Sequence, residues 1–317
     1  MSPRVTAIIP VFNRLPLTRA CLNCLRAQRH RPLDVIVVDG GSTDGTPTAV
    51  AADYPEVTVV TSTEPLWWAG ATAKGIELLL ARAPADDDFA LLLNNDTRFG
   101  PDYVATLVRH ARAHDAAVGG LIVDSRDRRI TDAGVAVDWE RYDFPARTEK
   151  AVDGPYFDGP DVLTGRGVVV PVHMIRRCGN IDAAAFPHYI ADYDWFLRLK
   201  AHGFRFGIAY DAVIESVVEA TGMAPEQRRR TLKDAWSYAF SRRSMLNLRD
   251  HLRFIDRHAP TALKAELKRR QIRSAIGRFV EAILPPGRLH DRLVRIGDLV
   301  VGAAMRPREM WRRLQER

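Results

Sequence analysis

A chain of 317 residues with 46% hydrophobic and 27% charged residues has the make-up of a globular protein, which excludes a disordered or fibrous chain and allows a core without disulfides. Three cysteines are too few for a disulfide framework and fit a reducing compartment, and no apolar run reaches the ~18 residues that a membrane span requires. The net charge of +7 belongs to the end of the chain: residues 260–317 hold fourteen Lys and Arg against six Asp and Glu, residues 1–259 hold 32 against 33, and a near-neutral body argues against nucleic-acid binding.

The first half alternates strand and helix. VTAIIP (5–10) opens it as a strand, so no signal peptide is expected and the location is expected to be cytoplasmic. A helix follows from about Leu15 to Gln28, with Leu17, Cys21, Cys24 and Leu25 on one face. The Cys21–Cys24 pair therefore reads as small core residues, since no second ligand pair accompanies it. DVIVVD (34–39), VTVVTS (57–62) and FALLLN (89–94) are further strands; helices are expected from about Thr46, over Ala69–Ala81 and from Pro101 to about His114. AAVGGLIV (116–123) is a fifth strand. Near-continuous apolar strands spaced by helices predict an α/β fold with a mostly parallel sheet covered on both faces. From Asp124 to Asp161 the pattern dissolves into charges, glycines and prolines, expected to be hairpins and loops. Order returns with VLTGRGVVVPVHMIRRCG (162–179), a strand and short helix, then a helix in HYIADYDWFLRLKAHGF (188–204) and a strand in FGIAYDAVIES (206–216). Residues 226–257 look helical.

In an open parallel sheet, ligands bind beyond the carboxyl ends of the strands. Those ends hold Pro10, Phe12 and Asn13; Asp39, Gly41, Ser42 and Asp44; and Asn94 with Asp96. PVFNR after the first strand contains no glycine, so neither a dinucleotide fingerprint nor a P-loop is present. A carboxylate repels a pyrophosphate unless a cation lies between them, and Mg²⁺ or Mn²⁺ bridges one or two carboxylates to phosphates. Asp96 suits that bridge, and Asp39 suits hydrogen bonds from a base or ribose; both also suit simple turn capping. Asp192 and Asp194 open the 188–204 helix, where its dipole favours acidic groups. Asp192 is the candidate general base, and Asp194 supports it in an i,i+4 pair with Arg198.

VTAIIPVFNR, VIVVDGGSTDGT, LLLNNDT and HYIADYDWFLRLKAHGF, in this order and spacing, resemble the family 2 glycosyltransferases over roughly residues 4–216. LWWAGATAKGI (66–76) and LTGRG (163–167) are similar to the bacterial rhamnosyltransferase-like branch that builds surface polysaccharides. The resemblance implies a GT-A (Rossmann-like) fold, an inverting mechanism, a nucleotide-sugar donor, namely a dTDP- or UDP-sugar carrying a rhamnose-like or galactose-like sugar, a glycan or lipid-linked acceptor, and Mg²⁺ or Mn²⁺. It implies that Pro10, Asn13, Asp39, Ser42, Gly70, Asn94 and Asn95 bind the donor, that Asp96 binds the metal and that Asp192 is the base. Gly165, Arg166 and Gly167 would lie near the pyrophosphate or the acceptor, with Tyr189, Asp194, Trp195 and Arg198 on the acceptor side. Trp67, Trp68, Tyr189 and Trp195 are candidate stacking faces or core aromatics. Three positions depart from the family pattern: Asn94 replaces the first carboxylate of D-x-D, Ala191 replaces the usual Glu, and Glu215-Ser216 stand where many members have a histidine ligand. Glu215 is a candidate substitute ligand.

The expected organisation is a catalytic domain over 1–216, with a nucleotide-sugar half to about 123 and an acceptor half from about 124. A helical continuation follows over 217–259, and a C-terminal basic amphipathic helical extension over 260–317. The last segment spaces Leu263, Leu267, Ile272, Ile276, Phe279, Val280 and Ile283 as one helix face, and either touches an anionic membrane surface peripherally or packs on the body. An inactive nucleotide- or glycan-binding protein of the same fold is the alternative function; a nucleotidyltransferase would want a glycine- and Lys/Arg-rich loop after the first strand.

Overall fold

The structure, a computed structural model, describes residues 2–64, 66–217, 236, 239–241 and 244–283. The chain divides into two compact units, residues 1–224 and 225–317.

In the first unit the Val-, Ile- and Leu-rich runs are the central strands: β1 (Val5–Val11), β2 (Leu33–Asp39), β3 (Thr58–Thr61) and β4 (Phe89–Leu92). They pair in parallel in the order β3-β2-β1-β4. Alternate side chains leave the sheet on opposite faces, and here both faces are covered, so no polar alternation is needed. Ile9, Val37 and Leu91 pack with Leu22 and Leu25 of α1 (Leu15–Arg26) and Val50 of α2 (Thr46–Asp53). Ile36 and Val38 face the other way, onto Ala71 of α3 (Trp68–Ala81).

Beyond β4 the sheet becomes mixed. β5 (Thr97–Phe99), α4 (Tyr103–His114) and β6 (Ala116–Asp124) come next in the chain. The long excursion of residues 125–167 then includes only the short β7 (Ile130–Asp132) and β8 (Tyr156–Asp158), on β6 and on the later β10. Returning from it, β9 (Val168–Pro171) inserts antiparallel between β4 and β6. After α5 (Val172–Cys178) and α6 (Ala191–Ala201), β10 (Arg205–Ser216) runs parallel to β6 and carries β5 antiparallel on its far side.

The helix expected over 188–204 begins at Ala191, because Ile190 sits at φ 57°, a left-handed conformation that a β-branched residue adopts only under constraint. In the second unit, α7 (Leu248–His258) is capped by Asn247, whose side chain accepts from the Arg249 and Asp250 amides, and α8 spans Thr261–Ile283. The rest of the expected 226–257 helical region is mostly outside the described residues, as are the breakers at Pro285-Pro286-Gly287 and Pro307. No helix among the described residues is long and apolar enough to cross a membrane.

Candidate active site

The carboxyl ends of β1 and β2 are stapled together. Asp39 is fully buried, and its Oδ2 accepts the Gly41 and Ser42 amides at 3.2 and 3.1 Å. The Ser42 hydroxyl in turn accepts the Asn13 amide at 2.6 Å, and Asn13 Oδ1 accepts the Thr43 amide at 2.8 Å. These bonds hold Asn13 and Arg14 at φ 57° and 67°, two consecutive left-handed residues without a glycine. Pro10 is the next-to-last residue of β1 and is partly buried. The turn sends Arg14 towards the tip of β4, where its guanidinium lies 3.9 Å from Asp96.

After β4 the chain turns through Asn94, Asn95, Asp96 and Thr97. Asn94 Oδ1 accepts the Trp68 indole N–H at 2.8 Å, Asn95 Nδ2 donates to the Thr18 hydroxyl at 3.0 Å, and the Thr97 hydroxyl donates to the Asn94 carbonyl at 2.7 Å. Cys21 packs beneath this turn; burial pushes its thiol up to about 12, so it is a core residue and not a reactive pair with Cys24. Gly70 lies on the first turns of α3 against Leu66. Asp96 is 5% exposed and its Oδ1 has no hydrogen-bond partner. Burial holds its carboxyl above the ordinary aspartate range, opposed by the nearby guanidinium groups of Arg166 and Arg14.

The LTGRG segment joins this tip to Asp192. Gly165 packs so tightly that a Cβ there would come within 2.5 Å of Trp68 Cη2 and closer still to Cζ2. Its amide donates to Asp192 Oδ2 at 3.1 Å, while the Tyr193 amide donates to Asp192 Oδ1 at 3.0 Å. Gly167 adopts φ +80° and has no room for a side chain beside Tyr103 and Ile214. Between them Arg166 lies close to Asp96, Asp132 and Asp192 and favours the charged form of each; its Nη1 also donates to the Ser216 hydroxyl at 3.5 Å. Burial raises the proton affinity of Asp192 against those bonds and that charge. A chain of hydrogen bonds and charge interactions therefore runs from Asp39 through Ser42, Asn13, Arg14, Asp96 and Arg166 to Asp192.

The other expected acceptor-side residues have structural partners. Asp194 is fully buried and bonded to Arg198 at 3.0 Å, and Arg198 also donates to the Asn180 carbonyl at 2.8 Å and the Cys178 carbonyl at 3.2 Å. That pair fixes the start of α6 to the loop after α5. Trp195 is fully buried, with its indole donating to the Gly179 carbonyl at 2.9 Å, so it offers no stacking face. Tyr189 is half-buried against the His188 ring. Glu215 is not a substitute metal ligand: adjacent strand residues face opposite sides, and while Ser216 meets Arg166, Glu215 pairs with Arg128 in a separate hollow beside Arg98.

Two features of the site lie outside the sequence motifs. Asp132, at the end of the three-residue β7, is buried and accepts from the Gly134 amide at 2.8 Å and the Thr164 hydroxyl at 3.0 Å. Trp139, Tyr142 and Phe144 form a ring cluster that meets Tyr193, the neighbour of Asp192, at 5.7 Å between the Phe144 and Tyr193 centroids. The aromatic spacing of DWERYDF was the one available signal.

A divalent cation fits this site in a restricted way. Asp96 Oδ1 is a buried oxygen awaiting a partner, but the Asn94 oxygen is committed to Trp68, and among the described residues no group of three His, Cys, Asp or Glu could hold a metal ion. A cation here would take one protein carboxylate and draw its other ligands from phosphates and water.

Comparison with known proteins gives a consistent result. Residues 6–158 match Glycosyl transferase family 2, and residues 89–295 match Glycosyl transferase family group 2. An N-acetylglucosaminyl-diphospho-decaprenol L-rhamnosyltransferase from Mycobacterium tuberculosis is 32% identical over 133 residues, which is 38% of this chain and 43% of that relative. The chain thus matches less than half the length of that protein. An uncharacterized protein of Mycobacterium bovis, Mb1552, is 27% identical over 203 residues, covering 63% of this chain and 68% of its own. Among solved structures, a mannosyltransferase from Pyrobaculum calidifontis in complex with GDP-Man and Mn²⁺ has a TM-score of 0.54 at 20% identity, covering all of this chain and 85% of its own. GalNAc-T7 with UDP, GalNAc and Mn²⁺ also has a TM-score of 0.54, at 11% identity, covering 85% of this chain and 54% of its own. These two likenesses establish the GT-A fold.

Proposed function

The chain belongs to the family 2 glycosyltransferases, and on that premise we propose that it transfers a sugar, with inversion, from a dTDP- or UDP-sugar to a glycan or lipid-linked acceptor in surface polysaccharide synthesis. The observation that supports it best is that one guanidinium, Arg166, acts on both the buried Asp96 and the partly buried Asp192. The match to a rhamnosyltransferase supports a rhamnose-like donor and a lipid-diphosphate acceptor.

In this proposal the Asp39–Ser42–Asn13 staple, with Pro10, Gly70 and the Asn94-Asn95 turn, forms the nucleotide pocket. Asp96 would hold Mg²⁺ or Mn²⁺, which would supply positive charge against the leaving diphosphate. Arg14 and Arg166, already facing Asp96, add donors for the same phosphates; such preorganised charge acts where negative charge develops. Asp192 Oδ2 is held by the Gly165 amide and Oδ1 by the Tyr193 amide, leaving lone pairs for an acceptor hydroxyl. Asp192 takes that proton as the hydroxyl attacks the anomeric carbon from the face opposite the diphosphate. Its raised proton affinity makes it a better acceptor of that proton than an exposed aspartate.

A peripheral contact with an anionic membrane is proposed for the second unit, where Arg269, Ile272 and Ile276 stand exposed on one face of α8; liposome flotation of the full chain, with and without Ile276→Glu, tests it. The function itself is tested by a thermal-shift panel of nucleotide sugars with and without Mn²⁺. One nucleotide sugar should raise the melting temperature, more so with Mn²⁺; a flat panel would contradict the proposal.

A further inference from the structure

We infer that Asp132 is a positioning residue for Asp192: through Thr164 it anchors the turn whose next two residues, Gly165 and Arg166, present a backbone amide and a guanidinium to the proposed base. This rests on the reading of Asp192 as the group that activates the acceptor.

The links are consecutive. Asp132 Oδ1 accepts the Gly134 amide at 2.8 Å and Oδ2 accepts the Thr164 hydroxyl at 3.0 Å, so both oxygens are engaged in a site only 5% exposed. Gly165 then donates to Asp192 Oδ2 at 3.1 Å. Arg166 lies near both carboxylates, and Tyr193 senses the charge of Asp132 as well as that of Asp192. Holding Thr164 needs only a neutral acceptor, and burying a charge without need is costly. What a carboxylate adds is a charge that acts on Arg166, the same guanidinium that acts on Asp192.

Two effects on Asp192 follow, and they have opposite signs. The charge of Asp132 competes with Asp192 for Arg166, which keeps the proton affinity of Asp192 up. The Thr164 bond aligns the Gly165 amide with Asp192, which brings that affinity down. The groups acting on Asp192 are Tyr193 on its own helix and Gly165 and Arg166 from the turn before β9; Asp132 from β7 acts on that same Arg166 and on Tyr193. Asp96 lies across Arg166, and Asp194 is turned into the core on Arg198.

The test is a pH titration of the full chain labelled with ¹³C in its aspartate carboxyl groups, the signal that disappears in Asp192→Asn being that of Asp192. Asp132→Asn retains an oxygen for Gly134 and an amide that donates to the Thr164 hydroxyl, so the turn stays and only the charge goes. It should lower the Asp192 midpoint by about 0.5 pH unit or more, a factor of about 3 in proton affinity. Thr164→Val keeps the charge and breaks the link; it should raise the midpoint, and Thr164→Ser should restore it. A purely structural Asp132 would move the midpoint in neither direction, or in the same direction in both variants, and either result overturns the inference. The readout needs no sugar substrate. A normal coupling in a chain whose Asp192→Asn variant still transfers sugar would overturn the base assignment alone.

Discussion

Gly165→Ala is the sharpest probe of how the site is packed. The new Cβ would sit within 2.5 Å of Trp68 Cη2, and closer to Cζ2, whereas ordinary carbon contacts need ~3.5–4.0 Å. The indole cannot simply withdraw, because its N–H is bonded to Asn94 at 2.8 Å and its backbone belongs to α3. Overpacking of this kind costs about 1–3 kcal/mol. Loss of the Trp68–Asn94 bond adds about 1 kcal/mol. At about 2–4 °C per kcal/mol for a unit of this size, the melting temperature should fall by on the order of 10 °C. Transfer should fall as well, since the Gly165 amide that holds Asp192 moves with the turn. The assay is thermal unfolding beside Gly100→Ala, where a Cβ meets nothing within 4 Å and stability should change by less than about 1 kcal/mol. Trp68→Phe in the Gly165→Ala background removes the part of the ring that clashes and should recover some stability. If Gly165→Ala melts with the wild type, the tight seat of Trp68 on this turn is wrong.

Three further outcomes are expected. Burial raises the Asp96 pKa in the folded chain, so the group's contribution to stability is fully present below the ordinary aspartate pKa and is lost as pH rises through the raised value. Asp96→Asn should therefore melt higher than the wild type at neutral pH, with the advantage fading in melts below about pH 4, while it is stabilised less by nucleotide sugar with Mn²⁺. Arg198→Ala removes the ion-pair partner of the fully buried Asp194 and should cost about 3–5 kcal/mol in urea unfolding, with nucleotide-sugar binding retained by the folded fraction. Glu215→Gln touches only a half-exposed pair with Arg128 and should leave Mn²⁺-dependent donor stabilisation unchanged; a loss would return Glu215 to the site.

The β1–β4 part of the sheet was legible because its physics is local. Buried parallel strands are written as unbroken Val, Ile and Leu, and the polar residues after each one fall at the edge where ligands bind. Asn13, Asp39, Ser42 and Asp96 could thus be named from their position after a strand. The part after β6 was less legible because its contacts are distant in sequence. Asp132 ends a strand of three residues, too short for any periodicity, and its partner Thr164 lies 32 residues away. Arg166 was visible as part of LTGRG, but its place among three carboxylates was not. Trp195 read equally as a stacking face or a core aromatic; helical geometry turns it into the core with Phe196 and Leu199. Glu215 and Ser216 were distinguishable in principle, since neighbours in a strand face opposite sides, once β10 was known to run to its last residue.

Asp192→Asn tests the central claim most directly. It preserves the shape of the side chain and an acceptor for the Gly165 amide while removing the proton acceptor. Transfer, measured with whichever nucleotide sugar stabilises the wild type, should drop by about 10²–10⁴-fold, the range set by loss of a general base. The same nucleotide sugar should raise the variant's melting temperature as much as it does the wild type's. Transfer at the wild-type rate would remove Asp192 from the chemistry, and equal loss of binding and transfer would make it part of the donor pocket instead.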